Sequence, residues 1–226
     1  MNVAAVIWDF GGVFTTSPFE AFNRFEDARG LPRDFIRAVN AAAPDVNAWA
    51  RFERAHIDAA TFDRLFHEES EALGHAIGGA EILPLLSGRV RPRMVAALRA
   101  CKQHFKVGCI TNNVVHGAGP GMTSDSGARR SVEEIFALFD EVIESSKAGV
   151  RKPDLRIYMM MCEALDVMPA ACVYLDDLGV NCKPAAALGM AAIKVVGEDQ
   201  ALAELARLTG LVFPSLSDSS PSEIAA

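Results

Sequence analysis

The chain has 226 residues, half of them hydrophobic, and a formal charge of −7. That acidic balance argues against a nucleic-acid surface, and no apolar run approaches the length of a membrane span. Five scattered cysteines, Cys101, Cys109, Cys162, Cys172 and Cys182, have no metal-ligand spacing and are odd in number. They read as buried free thiols of a reducing compartment, and with no basic leader ahead of Asp9 a cytoplasmic protein is expected.

The first element is an apolar strand over residues 3–8, ending in Asp9-Phe10-Gly11-Gly12. A buried strand fixes such a carboxylate in space, and paired glycines let backbone N–H groups approach an anion. Residues 15–18 read as a linker with Thr16 or Ser17 as a helix cap. Phe19, Phe22 and Phe25 then recur at helical spacing until Leu31-Pro32. Further amphipathic helices are expected over residues 48–52 and 61–73, the latter started by Asp58 or Thr61. Gly78-Gly79 and Ser87-Gly88 mark the exit. Residues 17–89 therefore form a helical cap inserted after the first strand, and residues 1–16 and 90–226 form an α/β core with a parallel, Rossmann-like sheet.

Within that core, Pro92 starts a helix that leads to a strand ending in Thr111-Asn112-Asn113. Residues 114–130 form a glycine-rich loop without the Lys-Ser or Lys-Thr of a nucleotide-binding loop. It reads as a surface loop or as a substrate-side loop that brings His116 and Arg129 to an anion. A strand follows at 138–143, then Arg151-Lys152-Pro153-Asp154 ahead of a helix at 155–164. The strand from Cys172 runs into Asp176-Asp177, with Asn181 close behind, and a last strand is expected at 191–196. The Ser-rich tail from Pro214 reads as mobile.

Four polar signals thus sit at or beside the ends of apolar runs: Asp9, Thr111-Asn112, Lys152 and Asp176-Asp177. In an open parallel sheet, groups at the carboxyl ends of strands converge on one crevice. Singly, each has a plain structural explanation, as a turn cap or a surface lysine. Together they make an inventory suited to a divalent cation and a phosphoryl group.

On these four segments, and on residues 174–190, the chain resembles the haloacid dehalogenase superfamily. The likeness is strongest to the amino-terminal phosphatase domain of soluble epoxide hydrolase. The resemblance implies a magnesium-dependent phosphatase of a small phosphorylated metabolite; the sequence leaves monomer or homodimer open. It implies Asp9 as nucleophile, with Asp9, Asp177 and the Gly11 carbonyl on magnesium. Thr111, the backbone around Asn112 and Gly12 would hold the phosphoryl group, and Lys152 would neutralise charge on it and on the nucleophile. Asn181 would orient the acidic pair, and Asp176 would be a water-mediated ligand or the partner of Lys152.

One position departs from the pattern. The family's phosphatases usually carry an acid/base Asp two residues after the nucleophile, where this chain has Gly11. Such a group contributes about 10²–10⁴-fold to rate. The retained acidic pair speaks against the metal-independent haloacid branch. The absence of any lysine between Ser17 and Arg89 speaks against an imine-forming phosphonatase. Two readings remain: a phosphatase with an easily expelled leaving group or an acid borrowed from the cap, with Glu53 and His56 as candidates, and a degenerate member that binds magnesium and a phosphorylated ligand or partner without turnover.

Overall fold

Residues whose side chains must be apolar on both faces make a parallel sheet, and β1 (Ala5–Trp8) shows why: all four of its residues are buried. In the computed structural model, which describes residues 2–114 and 126–213, Val6 and Trp8 enter one core and Ala5 and Ile7 the other. After β1 come α1 (Pro18–Arg29), α2 (Phe35–Ala41), α3 (Ala48–Glu53), α4 (Ala59–Ala72) and α5 (Gly79–Ile82). Then follow α6 (Pro92–Lys102), β2 (Lys106–Thr111), α7 (Ser126–Phe136), β3 (Glu141–Glu144), α8 (Ser145–Ala148) and α9 (Leu155–Ala164). The chain closes with β4 (Cys172–Asp176), α10 (Gly179–Ala187), β5 (Ala191–Lys194) and α11 (Glu198–Thr209).

The strands pair in the order β3-β2-β1-β4-β5, all parallel. The path goes out from β1 to one side and returns to the other, so the crevice at the carboxyl end of β1 lies between β2 and β4. Helices α6, α7 and α11 cover one face, and α9 and α10 the other. Gly108 in β2 lets α9 come close: a Cβ there would lie 2.4 Å from the Met161 sulfur.

Helices α1 to α5 enclose a separate apolar cluster built on Phe22, Ile36, Phe52, Phe62 and Phe66. Two chain segments join this cluster to the sheet, and they run side by side. Thr15 and Val90 form an antiparallel bridge, Thr16 N–H donates to the Arg89 carbonyl at 2.8 Å, and Arg91 N–H donates to that of Phe14 at 2.7 Å. Gly88 permits the approach, since a Cβ there would stand 2.4 Å from the Thr16 carbonyl oxygen.

Several expectations are corrected. The first helix stops at Gly30, in the left-handed region at φ 64°, rather than at Leu31-Pro32. Helix α2 was not expected. Its first N–H groups are capped from a distance, with Glu26 of α1 accepting from Asp34 and Ile36 at 2.9 Å each. Part of the expected glycine-rich loop is α7, which places Arg129 on a helix with an exposed side chain; Val132 and Ile135 of that helix enter the core. His116 and the tail from Pro214 lie outside the described residues. All five cysteines are buried and free.

Candidate active site

Strand β1 delivers Asp9 at its carboxyl end, buried, with its backbone N–H held by the Leu175 carbonyl at 2.7 Å. Asp9 Oδ1 accepts from Phe10 N–H at 2.7 Å and pairs with Lys152 Nζ at 2.7 Å. The same ammonium bonds Asp176 Oδ2 at 2.8 Å. Lys152 is 1% exposed, so the commoner fate of a lysine at the surface does not hold here. Its backbone is fixed by Asn112, whose amide makes reciprocal bonds: Lys152 N–H donates to Oδ1 at 2.9 Å and Nδ2 donates to the Lys152 carbonyl at 3.0 Å. Asn112 lines the cavity floor, where its backbone is expected to hold phosphoryl oxygens, while its side chain holds the lysine.

The acidic pair divides its labour. Asp176, fully buried, has donors on both oxygens: Leu178 N–H and Asn181 Nδ2 on Oδ1, Lys152, Tyr174 OH and Asn181 Nδ2 on Oδ2. Of the two alternatives for Asp176, the structure shows the partner of Lys152. Tyr174 was missed by sequence reasoning. It stands two residues before Asp176 in β4, so strand alternation puts both side chains on one face, and its hydroxyl donates at 2.6 Å.

Asp177 reaches the other way. Its Oδ2 accepts from Ser17 Oγ at 3.2 Å, so Ser17 spends its hydroxyl there and does not cap α1. Gly12 makes room for this carboxylate. Its φ is +73°, and a Cβ would lie 2.1 Å from Asp177 Oδ2. Gly12 N–H lies a long 3.4 Å from Thr15 Oγ1, and its carbonyl accepts from Arg91 at 2.9 Å.

Carboxylate oxygens of Asp9, Asp176 and Asp177 all lie within 4.8 Å of one another. Three carboxylates facing one ammonium leave an excess of negative charge, and the titration follows. Burial pushes Asp9 well above the usual carboxylate range; Lys152 pulls it back, and Asp176 and Asp177 push it further up. Asp177 is pushed up to about 6 by burial and by Asp176, against Lys152 and the Ser17 bond. Burial disfavours the Lys152 charge, but Asp176 and Asp9 more than offset this and hold its ammonium above its ordinary value. With Asp176 occupied by donors, Asp9 and Asp177 are the carboxylates that remain for a cation, and a hard oxygen donor set of this kind suits magnesium.

Above these groups is a cavity of about 550 Å³. Asp9, Gly11, Thr111, Asn112, Lys152, Asp177 and Asn181 line its floor. Its walls come from Phe19, Phe22, Trp49, Leu86 and Val114, with Arg37, Glu53 and Arg151 among them. Gly11 is bare: a Cβ there would meet nothing within 4 Å. Of the two cap candidates for the missing acid, Glu53 lines this cavity and is buried. His56 is exposed and borders a different hollow, formed with Ile57 and Asp58. Arg151, also missed, pairs with Glu53 through Nε and Oε2 at 2.5 Å and donates to the Pro44 carbonyl at 2.9 Å. Its place next to Lys152 is the signal that could have found it.

The family model for haloacid dehalogenase-like hydrolases matches residues 3–189. The chain belongs to that family. Among curated haloacid dehalogenase-like relatives, bifunctional epoxide hydrolase 2 of Mus musculus is 30% identical over 95% of this chain, which spans 40% of that protein's length. Sesquiterpene phosphatase astK of Aspergillus oryzae is 28% identical, with 91% of this chain matching 96% of that one. The fold is shared with a predicted HAD-like hydrolase of Porphyromonas gingivalis (TM-score 0.64, 18% identity, covering 92% of this chain and 98% of that one). It is also shared with a HAD enzyme of Bacteroides thetaiotaomicron solved with magnesium and inorganic phosphate (TM-score 0.57, 16% identity, covering 87% and 96%). Among the described residues, no helix is long and apolar enough to cross a membrane.

Proposed function

We propose that this hydrolase is a magnesium-dependent phosphatase that cleaves phosphate monoesters of small, largely apolar organic groups through a phosphoryl group carried on Asp9. The observation that carries the reading is Lys152, a buried ammonium 2.7 Å from Asp9 and 2.8 Å from Asp176 at the foot of the cavity. Asp9, Asp177 and the Gly11 carbonyl would hold magnesium, which supplies positive charge to the phosphoryl oxygens.

Asp9 attacks phosphorus with a carboxylate oxygen, forming an aspartyl-phosphate that water then hydrolyses. Lys152 neutralises charge on the attacking carboxylate and on the phosphoryl oxygens, in a place where burial makes each charge count for more. Asp176, Tyr174 and Asn181 keep that ammonium in position, and Asn112 fixes the backbone that carries it. Residues 17–89 act as a cap domain and residues 1–16 and 90–226 as the core, the cap closing the organic part of the ester away from water. The aromatic wall of Phe19, Phe22 and Trp49 favours an apolar leaving group, and the likeness to a sesquiterpene phosphatase agrees with that preference.

A second reading has one observation in its favour. Gly11 offers no proton, so the chain would bind magnesium and a phosphorylated ligand or partner without turnover. Phosphate release from a panel of alkyl, isoprenyl, aryl and sugar phosphates, with magnesium and with chelator, separates the two. Release that needs magnesium, favours apolar esters and vanishes in Asp9→Asn supports the phosphatase. Magnesium binding with no release from any ester, and no phosphate retained on Asp9, supports the binding protein.

A further inference from the structure

We propose that Glu53, at the end of α3, is the general acid and base that position 11 does not supply; the proposal rests on the phosphatase reading above. Among the described residues that line the cavity, the carboxyl groups are Asp9, Asp45, Glu53 and Asp177. Asp9 and Asp177 belong to the cation cluster, and Asp45 is exposed. Glu53 is the one that remains, buried at 6% exposure and lining the same cavity as Asp9 and Lys152.

Its placement is built rather than incidental. Helix α3 starts at Asn47, whose side chain accepts from Ala50 N–H at 2.8 Å and donates to the carbonyls of Asn40 and Ala42 at 2.9 Å each. Glu69 of α4 takes the Ala48 N–H at 2.7 Å, so the short helix is anchored at its first turn. At its last residue, Glu53 Oε2 forms an ion pair with Arg151 Nε from the core side, at an angle that makes no hydrogen bond. Arg151 is the immediate neighbour of Lys152, so one loop positions both the phosphoryl-binding cation and the proton carrier. Burial raises the Glu53 proton affinity above that of an ordinary glutamate, although Arg151 pulls the other way. Gly11, two residues after Asp9, lines the same cavity and leaves open space around itself, since a Cβ there would meet nothing within 4 Å.

In the first half-reaction an Asp9 oxygen bonds to phosphorus as the bond from phosphorus to the leaving oxygen breaks. The Glu53 carboxyl gives its proton to that oxygen, and the alcohol departs. In the second, water bonds to phosphorus, its proton passes to the Glu53 carboxylate, and the Asp9–phosphorus bond breaks to free phosphate. Glu53 ends protonated, as it began.

Rapid-quench kinetics with magnesium, on n-decyl phosphate and 4-nitrophenyl phosphate, tests this. The parent should turn over without a burst and without covalent phosphate building up. Glu53→Gln, which keeps a polar partner for Arg151, should lose roughly 100-fold in steady turnover and accumulate phosphate on Asp9. Its loss in the phosphorylation step should be at least about tenfold greater for the decyl than for the nitrophenyl ester, because only the alkoxide needs the proton. Gly11→Asp in that background should restore turnover about tenfold or more. A Glu53→Gln enzyme that turns over both esters like the parent, or loses equally on both without covalent phosphate, overturns the assignment. So does a parent that itself shows a burst, and this measurement stands even if the variants misfold. A parent that neither releases phosphate from any ester nor becomes phosphorylated takes down the phosphatase reading as well.

Discussion

The floor of the cavity is made by strand ends whose polar side chains bond one another, whereas its roof is made by helices whose side chains mainly stack. On the floor, Asp9, Lys152, Asp176, Tyr174 and Asn181 form one connected set, each held by at least one bond of 2.6–3.1 Å. In the roof, Phe52 stacks on Phe62 at 4.6 Å and Trp49 meets Phe62 edge-on at 5.4 Å. A connected polar set fails as a unit when one member is removed, because the others are left buried and unpaired. A stacked wall loses contact area in proportion to what is cut away. The floor therefore tolerates little change, whereas the aromatic part of the roof can be reshaped.

The sharpest break is expected at Asp9. Asp9→Asn should abolish both phosphate release and covalent phosphate, by about 10⁴-fold or more if the residue is the nucleophile. Residual turnover near the parent's would move the chemistry elsewhere. Lys152→Met comes next. It removes the ammonium shared by two buried carboxylates, so activity should vanish and stability should fall by about 3–5 kcal/mol in denaturant titration. A Lys152→Met protein as stable as the parent would show that the pair is hydrated and weak.

A third test sets two adjacent glycines against each other. Gly12→Ala forces a Cβ into Asp177 at a left-handed position and should weaken magnesium binding at least about tenfold by calorimetry. Gly11→Ala has open space and should leave magnesium affinity nearly unchanged. Equal effects would mean that Asp177 takes no part in the cation site.

In the roof, Trp49→Ala should raise KM for an apolar ester roughly tenfold while changing kcat little. A fall in kcat alone would make Trp49 part of the chemistry. The smallest effect is expected at the opposite, amino-terminal end of the strands, at Asp140. Burial opposes its charge, but the Val107 N–H and the Lys102 ammonium more than offset this and hold it below its ordinary value of 3.8. A depressed acid adds stability above that value and loses it as pH falls through its folded-state titration. Asp140→Asn should cost about 1 kcal/mol near neutrality, and the gap should close in acid. A gap that persists in acid would assign the loss to packing.

The same contrast explains what could be read from the sequence. Strand ends are local: an apolar run followed by Asp9, Thr111 or Asp176 shows in a few residues, and parallel pairing brings them together. The parallel α/β sheet was legible for this reason. Helix α2 was not, because its cap comes from Glu26, eight to ten residues back in another helix. The side-chain role of Asn112 was hidden because its partner, the Lys152 backbone, is 40 residues away. Glu53 could be named only as one of two candidates until folding separated it from His56. The packing at Gly12 was not legible either, because spacing cannot show that Asp177 occupies the place of its missing side chain.

The bond from Ser17 to Asp177 has a further consequence. Ser17 is the residue before α1, and Asp177 lines the cavity floor. If Asp177 holds magnesium as proposed, a cation drawing its carboxylate would compete with the hydroxyl for the same lone pairs, and occupancy of the site and the seating of α1 would be linked equilibria. Linkage runs both ways by the same factor. On that reading, whatever shifts the first helix, an ester wedged against Phe19 included, would alter how tightly the ion is held, and filling the ion site would alter how readily that helix moves aside.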